Sequence, residues 1–485
     1  MTGALAKARV ALRSLDFRFL LGARLSSQFA DGVFQGYLVD TIVFLNPEKQ
    51  GTVVGVAKAF AVLVIPFSLV GPFTGVVIDR WSRRRILMLT PLLRAVVAAG
   101  LLLFPSGRIV PAMYVLVLIV VSADRFYLAT AGAVMPVLVP EEDLLVGNSL
   151  ASATGTVVTF LGLVVGTQLA DLMGPRGLIS VCVAAWPLSG LLAQRIQHPL
   201  RAVRPGAEIG AAVREAAAEL ARGARRLVAT PAALGSIVSV SLDQFLVGLV
   251  TVLSVVVFKQ EFKESVASYG RILGAGGVGV LVGTLTVGWL EERLAKPHIM
   301  AMAFALAGVV ALAGSPKIVA PVILLISFTL GLTFPWKKVP ADTIVQESIP
   351  DRFRGRVFAL YDFAFSLPRV AAAGLAIVLI PRLSANWIVA LAGLAYLLWT
   401  PVPSWWARRR MNVGVRFYAG GRADEVPRAI VVGGDEEPVD VLRSWNEDQA
   451  GARRRCFRVR TPDGWIVDLA EDPGRDRWRV ERTTQ

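Results

Sequence analysis

Cysteine and histidine are almost absent, with two of each in 485 residues. Cys182 lies in an apolar run and Cys456 in a polar tail, so a disulfide pair is not expected and a disulfide scaffold is excluded. His198 and His298 stand alone, with no Cys/His set, phosphate-binding loop or Ser-His-Asp arrangement around them. The sequence therefore offers no catalytic residue, no metal site and no cofactor site, and it is not expected to be an enzyme. Charge is also scarce, at 18% of residues, against about a quarter in an average soluble protein. With 54% hydrophobic residues, a secreted, fibrous or wholly soluble protein is excluded.

The charge that is present is unevenly spread. Residues 407–485 hold 30 charged side chains, whereas the first 406 residues hold 57, or 14%. A long apolar body is joined near Trp406 to a short polar tail. The net charge of +15 would suggest nucleic acid in a soluble protein. Here the tail is nearly balanced, with 16 Arg against 14 acids. The excess sits in the body, where the positive-inside rule accounts for it, and no nucleic-acid partner is expected.

A helical span needs about 20 mostly apolar residues. Twelve such stretches are read at 18–45, 52–78, 85–104, 110–137, 145–171, 176–194, 232–258, 266–290, 298–314, 318–341, 355–381 and 385–406. Their connections alternate between 23 basic residues on one side and seven on the other. That ratio predicts both termini, the linker at 195–231 and the tail in the cytoplasm. The start shows no apolar core followed by a small-residue cleavage site, so the first span is expected to act as its own insertion signal.

The linker divides the spans six and six, and the halves echo each other. Ser27, Asp31 and Gly36 match Ser239, Asp243 and Gly248 at an offset of 212, and Arg125 matches Lys337 at the same offset. Val139-Pro140-Glu141 matches Ile349-Pro350-Asp351 at 210. Two related six-span halves are the plan of many secondary transporters.

The run Gly71-Pro-Phe-Thr-Gly75-Val-Val-Ile-Asp79-Arg80-Trp-Ser-Arg83-Arg84-Arg85 resembles the loop signature between spans two and three of the major facilitator superfamily. The second half holds a degenerate copy, Gly283 to Lys296. Met135 to Leu144 and Gln346 to Val357 resemble loops of the superfamily's exporter-like branch, which includes drug and siderophore exporters. The resemblance covers about residues 12–406 and stops short of the tail. It implies a gating role for Gly75, Asp79, Arg80, Arg83 and Arg84, through contacts across the half–half seam that exist in one access state and break in the other. The plainer reading of the Arg cluster is a topology signal. Gly162 and Gly166 match the family's antiporter signature, while Leu163 and Thr167 do not.

An ionisable group inside a span costs about 2.5–3.5 kcal/mol on insertion scales and needs a reason. In the resembled family, spans one and seven line the central cavity. This makes Asp31 with Gln35, and Asp243 with Gln244, candidates for binding a proton or substrate. Asp124 and Arg125 in span four join them, with an Arg125–Asp31 pair as the expected contact. Pro335-Trp336-Lys337-Lys338-Val-Pro340 suggests a broken helix where Trp336 and Lys337 hold an anionic group. Alternatively, the lysines lie at the cytoplasmic interface and snorkel. Lys58, Arg94, Asp362 and Arg369 are further intramembrane charges, for which pairing within a helix or across the seam is expected.

Ala-rich residues 205–227 read as an amphipathic helix along the cytoplasmic membrane surface, with a partner-binding helix as the alternative. Strand-like runs at 428–432, 438–445, 455–460, 465–469 and 477–480 predict a small β module over 426–482. The expected fold class is an all-α membrane protein of twelve transmembrane helices in two pseudo-symmetric halves, with a small, mostly β cytoplasmic module. Its divisions fall at 1–194, 195–231, 232–406 and 407–485. The expected function is alternating-access transport of a small molecule across the cytoplasmic membrane by a monomer, as proton-coupled export. The alternative is a membrane-embedded sensor or scaffold that presents the C-terminal module.

Overall fold

The computed structural model describes residues 14–38, 41, 81–104, 111–140, 144–200, 209–260, 266–409, 412–418, 426–432, 434–449, 452–462, 464–472 and 477–484. Its helices are α1 (Leu15–Leu38), α2 (Arg83–Ala99), α3 (Pro111–Leu138), α4 (Leu144–Gln194), α5 (Ile209–Ala229) and α6 (Pro231–Gln260). They continue with α7 (Val266–Glu291), α8 (Lys296–Gly314), α9 (Ala320–Ser348), α10 (Asp351–Leu379), α11 (Ala385–Trp399) and α12 (Val402–Arg408). Among the described residues, nine helices are long and apolar enough to cross a membrane. The predicted span at 52–78 lies outside the described residues.

The apolar side chains that remain exposed on these helices, such as Val96, Leu172 and Leu285, form a surface suited to lipid. The predicted spans at 145–171 and 176–194 are joined in α4, which kinks at Gly174. Gly174 has φ 64°, a conformation that glycine adopts without a Cβ penalty, and Pro175 follows it.

Small residues decide which helices touch. On α1, a Cβ at Gly32 would lie 2.0 Å from the Thr159 carbonyl oxygen, and on α4 one at Gly162 would lie 2.2 Å from that of Phe29. Gly36 and Gly166 repeat the contact one turn on, so Gly162 and Gly166 do packing work. In the second half the close pair is α7 with α9. Gly279 lies against the Phe328 carbonyl, Gly283 against that of Leu332, and Gly331 against that of Gly276. This packing corrects the expected break: α9 runs unbroken through Pro335 and Pro340, because the neighbouring helix holds the backbone where the prolines remove N–H groups. Buried apolar clusters of the membrane body draw either on residues 17–200 or on residues 227–396. The two groups of helices meet where the Phe160 ring fills the space left by Gly277.

The tail forms seven antiparallel strands, β1 (Asn412–Tyr418), β2 (Val426–Val432), β3 (Asp435–Pro438), β4 (Asp440–Gln449), β5 (Ala452–Arg460), β6 (Ile466–Asp472) and β7 (Arg477–Thr484). Their order is β3-β2-β1-β7-β6-β5-β4. The two edges, β3 and β4, are consecutive in the chain and separated only by Val439, whose N–H donates to the Arg428 carbonyl at 2.9 Å. The sheet must therefore curl, and it forms a β half-barrel. Phe417, Phe457 and Trp478 meet inside it with ring centroids 5.4–6.3 Å apart. Arg458, on the opposite face, forks onto Asp468 at 2.7 and 2.8 Å, whereas Arg455 stands beside the aromatic rings, its Cζ 5.6 Å from that of Phe417, and forks onto Glu471 at 3.0 and 3.1 Å. The module starts at 412 rather than 426, since β1 was not anticipated, and neither was β3.

The linker helix α5 is not simply laid on lipid. Gly223 lies against Arg356 of α10, and Arg356 donates to Glu219 at 3.1 Å. On the same face, one turn on, Arg226 lies 5.6 Å from the Phe353 ring of α10 and donates to Glu437 of β3 at 2.8 Å, with both charged side chains buried. Removing one charge of a buried pair strands the other, so this face of α5 ties α10 and the β module together.

Candidate functional site

Ser27 and Asp31 are one helical turn apart on the buried face of α1, and Ser27 Oγ donates to Asp31 Oδ2 at 3.5 Å. Arg94 of α2 enters from the side, with only 2% of its side chain exposed. It donates through Nη2 to Asp31 Oδ1 and through Nη1 to Ser27 Oγ at 2.9 Å. Trp186, on the second arm of α4, donates its Nε1 proton to the same Asp31 oxygen at 2.9 Å. Its ring lies under the guanidinium, 4.5 Å from centroid to Cζ. Asp124 of α3 closes the cluster, with Oδ1 3.4 Å from Arg94 Nη1. Among the described residues this oxygen accepts no hydrogen bond. One guanidinium thus stands between two carboxylates, one tightly engaged and one in reserve.

The second half holds a matching centre. Asp243 is fully buried on α6 and accepts hydrogen bonds from Lys337 Nζ of α9, from Tyr396 OH of α11 at 3.0 Å and from Gln244 Nε2 at 3.1 Å. The ammonium also faces the rings of Tyr396 and Phe304 at 4.9 and 5.3 Å. Lys337 is therefore in the interior and does not snorkel to the interface.

The two centres share their carboxylate and their aromatic donor. Asp31 and Asp243 are 212 residues apart, and Trp186 and Tyr396 are 210 apart. The cation differs. Arg94 corresponds at an offset of 210 to Phe304, and the positive charge comes instead from Lys337, the counterpart of Arg125. This corrects the expected Arg125–Asp31 pair. Arg125 instead lies 3.7 Å from Asp124 and interacts electrostatically with Asp362 of α10, across the seam. Arg94 was under-read because nothing in the second half repeats its charge.

The remaining expected residues are scattered. Gln35 is exposed on α1. Trp336 is half-buried and donates its Nε1 proton to Thr286 of α7 at 3.0 Å. Lys338 pairs with Asp342 at 2.5 and 2.6 Å on the same helix. Arg83 donates to the Ala133 carbonyl at 3.0 Å, and Arg84 to that of Gln194 at 2.8 Å. Both bonds lie within the first half, and the second satisfies an orphan carbonyl at the end of α4. Gly75, Asp79 and Arg80 lie outside the described residues. Two cavities border these elements. One, of about 330 Å³, lies in the second half beside Gln244 and Arg369. The other, of about 280 Å³, lies where Arg226 and Arg409 face Glu437 and Trp465 of the β module.

The profile of the Major Facilitator Superfamily matches residues 27–373, and again 236–423. An uncharacterized MFS-type transporter of Mycobacterium tuberculosis is 30% identical over 390 residues, covering 76% of this chain and 86% of that protein. Macrolide efflux protein A of Streptococcus pyogenes is 29% identical over 105 residues, 21% of this chain and 26% of that one. Among solved structures, a POT-family peptide transporter superposes with a TM-score of 0.63 at 13% identity, covering 81% of this chain and 94% of its own. A bacterial metal transporter gives 0.55 at 16% identity, covering 81% and 99%. At such identities the solved structures speak for the fold. Together with the long apolar helices, the family match makes this a multi-pass membrane transport protein, not an enzyme, and the chain belongs to the Major Facilitator Superfamily.

Proposed function

We propose that this chain is a twelve-span exporter that moves a small molecule out across the cytoplasmic membrane in exchange for protons, by rocking residues 1–194 against residues 232–406. The carrying observation is Arg94 between Asp31 and Asp124. When Asp31 takes a proton, its hold on the guanidinium weakens and Asp124 becomes the better partner. When the proton leaves, Arg94 returns. Such an exchange gives two arrangements of one buried cluster, which is what coupling a proton to a helix movement requires. Asp243 with Lys337 is the second titratable centre. Export is supported by the loop resemblance and by the short match to a macrolide efflux protein. The cytoplasmic placement of both termini rests on the 23-to-7 division of basic residues.

The test is a substrate screen in proteoliposomes with and without an imposed pH gradient. The proposal expects a class of compound whose flux rises with the gradient. A scaffold or sensor reading draws on the docked β module and its buried Arg226–Glu437 pair. Deleting residues 410–485 separates the two readings. A transporter body keeps gradient-driven flux without its tail. No flux with any compound, together with a cellular phenotype that disappears with the tail, contradicts the proposal.

A further inference from the structure

We infer that the second half contains a binding site for an apolar molecule carrying one anionic group and one hydrogen-bond donor. This names the cargo class of the transport reading above and rests on it.

The cavity of about 330 Å³ is walled by apolar side chains, among them Val247, Leu253, Ile272 and Leu330. Two polar groups on its wall have unused capacity. Gln244 is 0% exposed, and its Nε2 is committed to Asp243. Its Oε1 accepts no hydrogen bond among the described residues. A buried acceptor without a donor is costly and in a native site points to a missing partner. Arg369 of α10 is half-buried, stacks on Phe365 at 5.2 Å, and its Nε donates to nothing among the described residues. The carboxylate whose charge acts on it, Asp243, is already engaged by Lys337. The cavity therefore carries a surplus positive charge beside an idle acceptor.

The backbone is arranged to bring the guanidinium there. A Cβ on Gly248 would lie 3.1 Å from Arg369 Cα, so the glycine lets α10 close on α6. At an offset of 210 the first half has Thr159 where Arg369 stands, and the carbonyl oxygen of Thr159 packs against Gly32. The site belongs to the second half alone. Apolar walls with a few convergent polar groups are the usual make-up of a small-molecule pocket, and the volume suits an acyl chain of about ten carbons with a small head. The carboxylate of such a molecule would meet Arg369, and an amide N–H would meet Gln244 Oε1.

The test uses the full chain in nanodiscs and tritiated N-decanoylglycine, with its methyl ester as the uncharged control. Saturable binding of the acid is expected, with the ester at least about tenfold weaker. Arg369→Gln should abolish that preference, Arg369→Lys should keep part of it, and Gln244→Leu should weaken the acid several-fold. Thermal unfolding of each variant checks that it is folded. Absent saturable binding, equal binding of acid and ester, or a preference that survives in folded Arg369→Gln overturns the inference. The transport reading fails separately. Carboxylate-dependent binding with no flux of any compound leaves the site and removes the transporter, whereas gradient-driven flux of another compound without probe binding does the reverse.

Discussion

Arg94 and Phe304 occupy matching places in the two halves, 210 residues apart, one charged and one apolar, and each faces the aromatic donor of its own carboxylate. Where Phe304 removes the cation, Lys337 on the next helix restores it. Each half thus keeps a buried carboxylate paired with a buried cation, by different routes.

That relationship makes an exchange test possible. Lys337→Leu leaves Asp243 buried without its cation and should cost about 3–5 kcal/mol. Adding Phe304→Arg should recover a substantial part, because the guanidinium then enters from the side used in the first half. Thermal unfolding in detergent of the single and double variants reads the recovery, and a double variant less stable than Lys337→Leu contradicts the equivalence.

In the first half, Arg94→Met should destabilise by about 3–5 kcal/mol, and Asp31→Asn in the same chain should relieve part of that loss. The coupling between the two changes, measured by a double-mutant cycle, should exceed about 1 kcal/mol. Simple additivity would mean that the Arg94–Asp31 contact carries no energy.

Gly162→Val places a branched side chain against the Phe29 carbonyl oxygen, where even a Cβ would come within 2.2 Å. It should separate α1 from α4 and abolish recovery of monodisperse protein. Gly132→Ala, with no heavy atom within 4 Å of the added carbon, is the matched control and should be neutral. Size-exclusion chromatography distinguishes them.

These elements also show how far the residues alone could be read. Helix positions were legible because a lipid-facing helix must be apolar over its whole length, and Asp31 and Asp243 stood out because acids in such helices are rare. The partner of Asp31 was not legible. Internal repetition pointed to Arg125, but the halves have diverged at Arg94/Phe304, and only packing shows which cation reaches the carboxylate. The unbroken α9 was missed for a related reason, since two prolines predict a break unless a neighbouring helix holds the backbone. In the tail, Val413, Val415 and Phe417 alternate with Gly414 and Arg416, a strand signal that could have been read for β1. Asp435–Pro438 carries no such signal, and β3 forms only because β2 pairs with it.

Glu437→Gln removes the charge that faces buried Arg226 and should loosen the β module from α5. Hydrogen exchange at Ile430 and Val431, which pair with β3, should quicken markedly while amides of β6 and β7 stay protected. Unchanged protection of β2 would show that the pair does not hold the module.

The module also predicts a small acid response. Hydrogen bonds from Arg455 hold the Glu471 carboxyl below its usual range. Because the folded value is the lower one, the stabilisation is present above the unfolded value and disappears as pH falls through the folded one. Glu471 is half-buried but its partner Arg455 is 43% exposed, so solvent screening should keep the effect within about 1 kcal/mol. Glu471→Gln should flatten the acid limb of β5–β6 protection, and an unchanged limb would assign the response to other groups.

The most direct test of proton coupling compares the unaltered chain with Asp31→Asn in proteoliposomes, using a compound that the unaltered chain moves under a pH gradient. Two fluxes are measured, gradient-driven accumulation and gradient-free counterflow. Asp31→Asn should lose accumulation by at least about tenfold while keeping counterflow, because helix movement remains possible but no proton exchanges on Asp31. Full accumulation by folded Asp31→Asn would contradict the exchange of Arg94 between Asp31 and Asp124 as the coupling step.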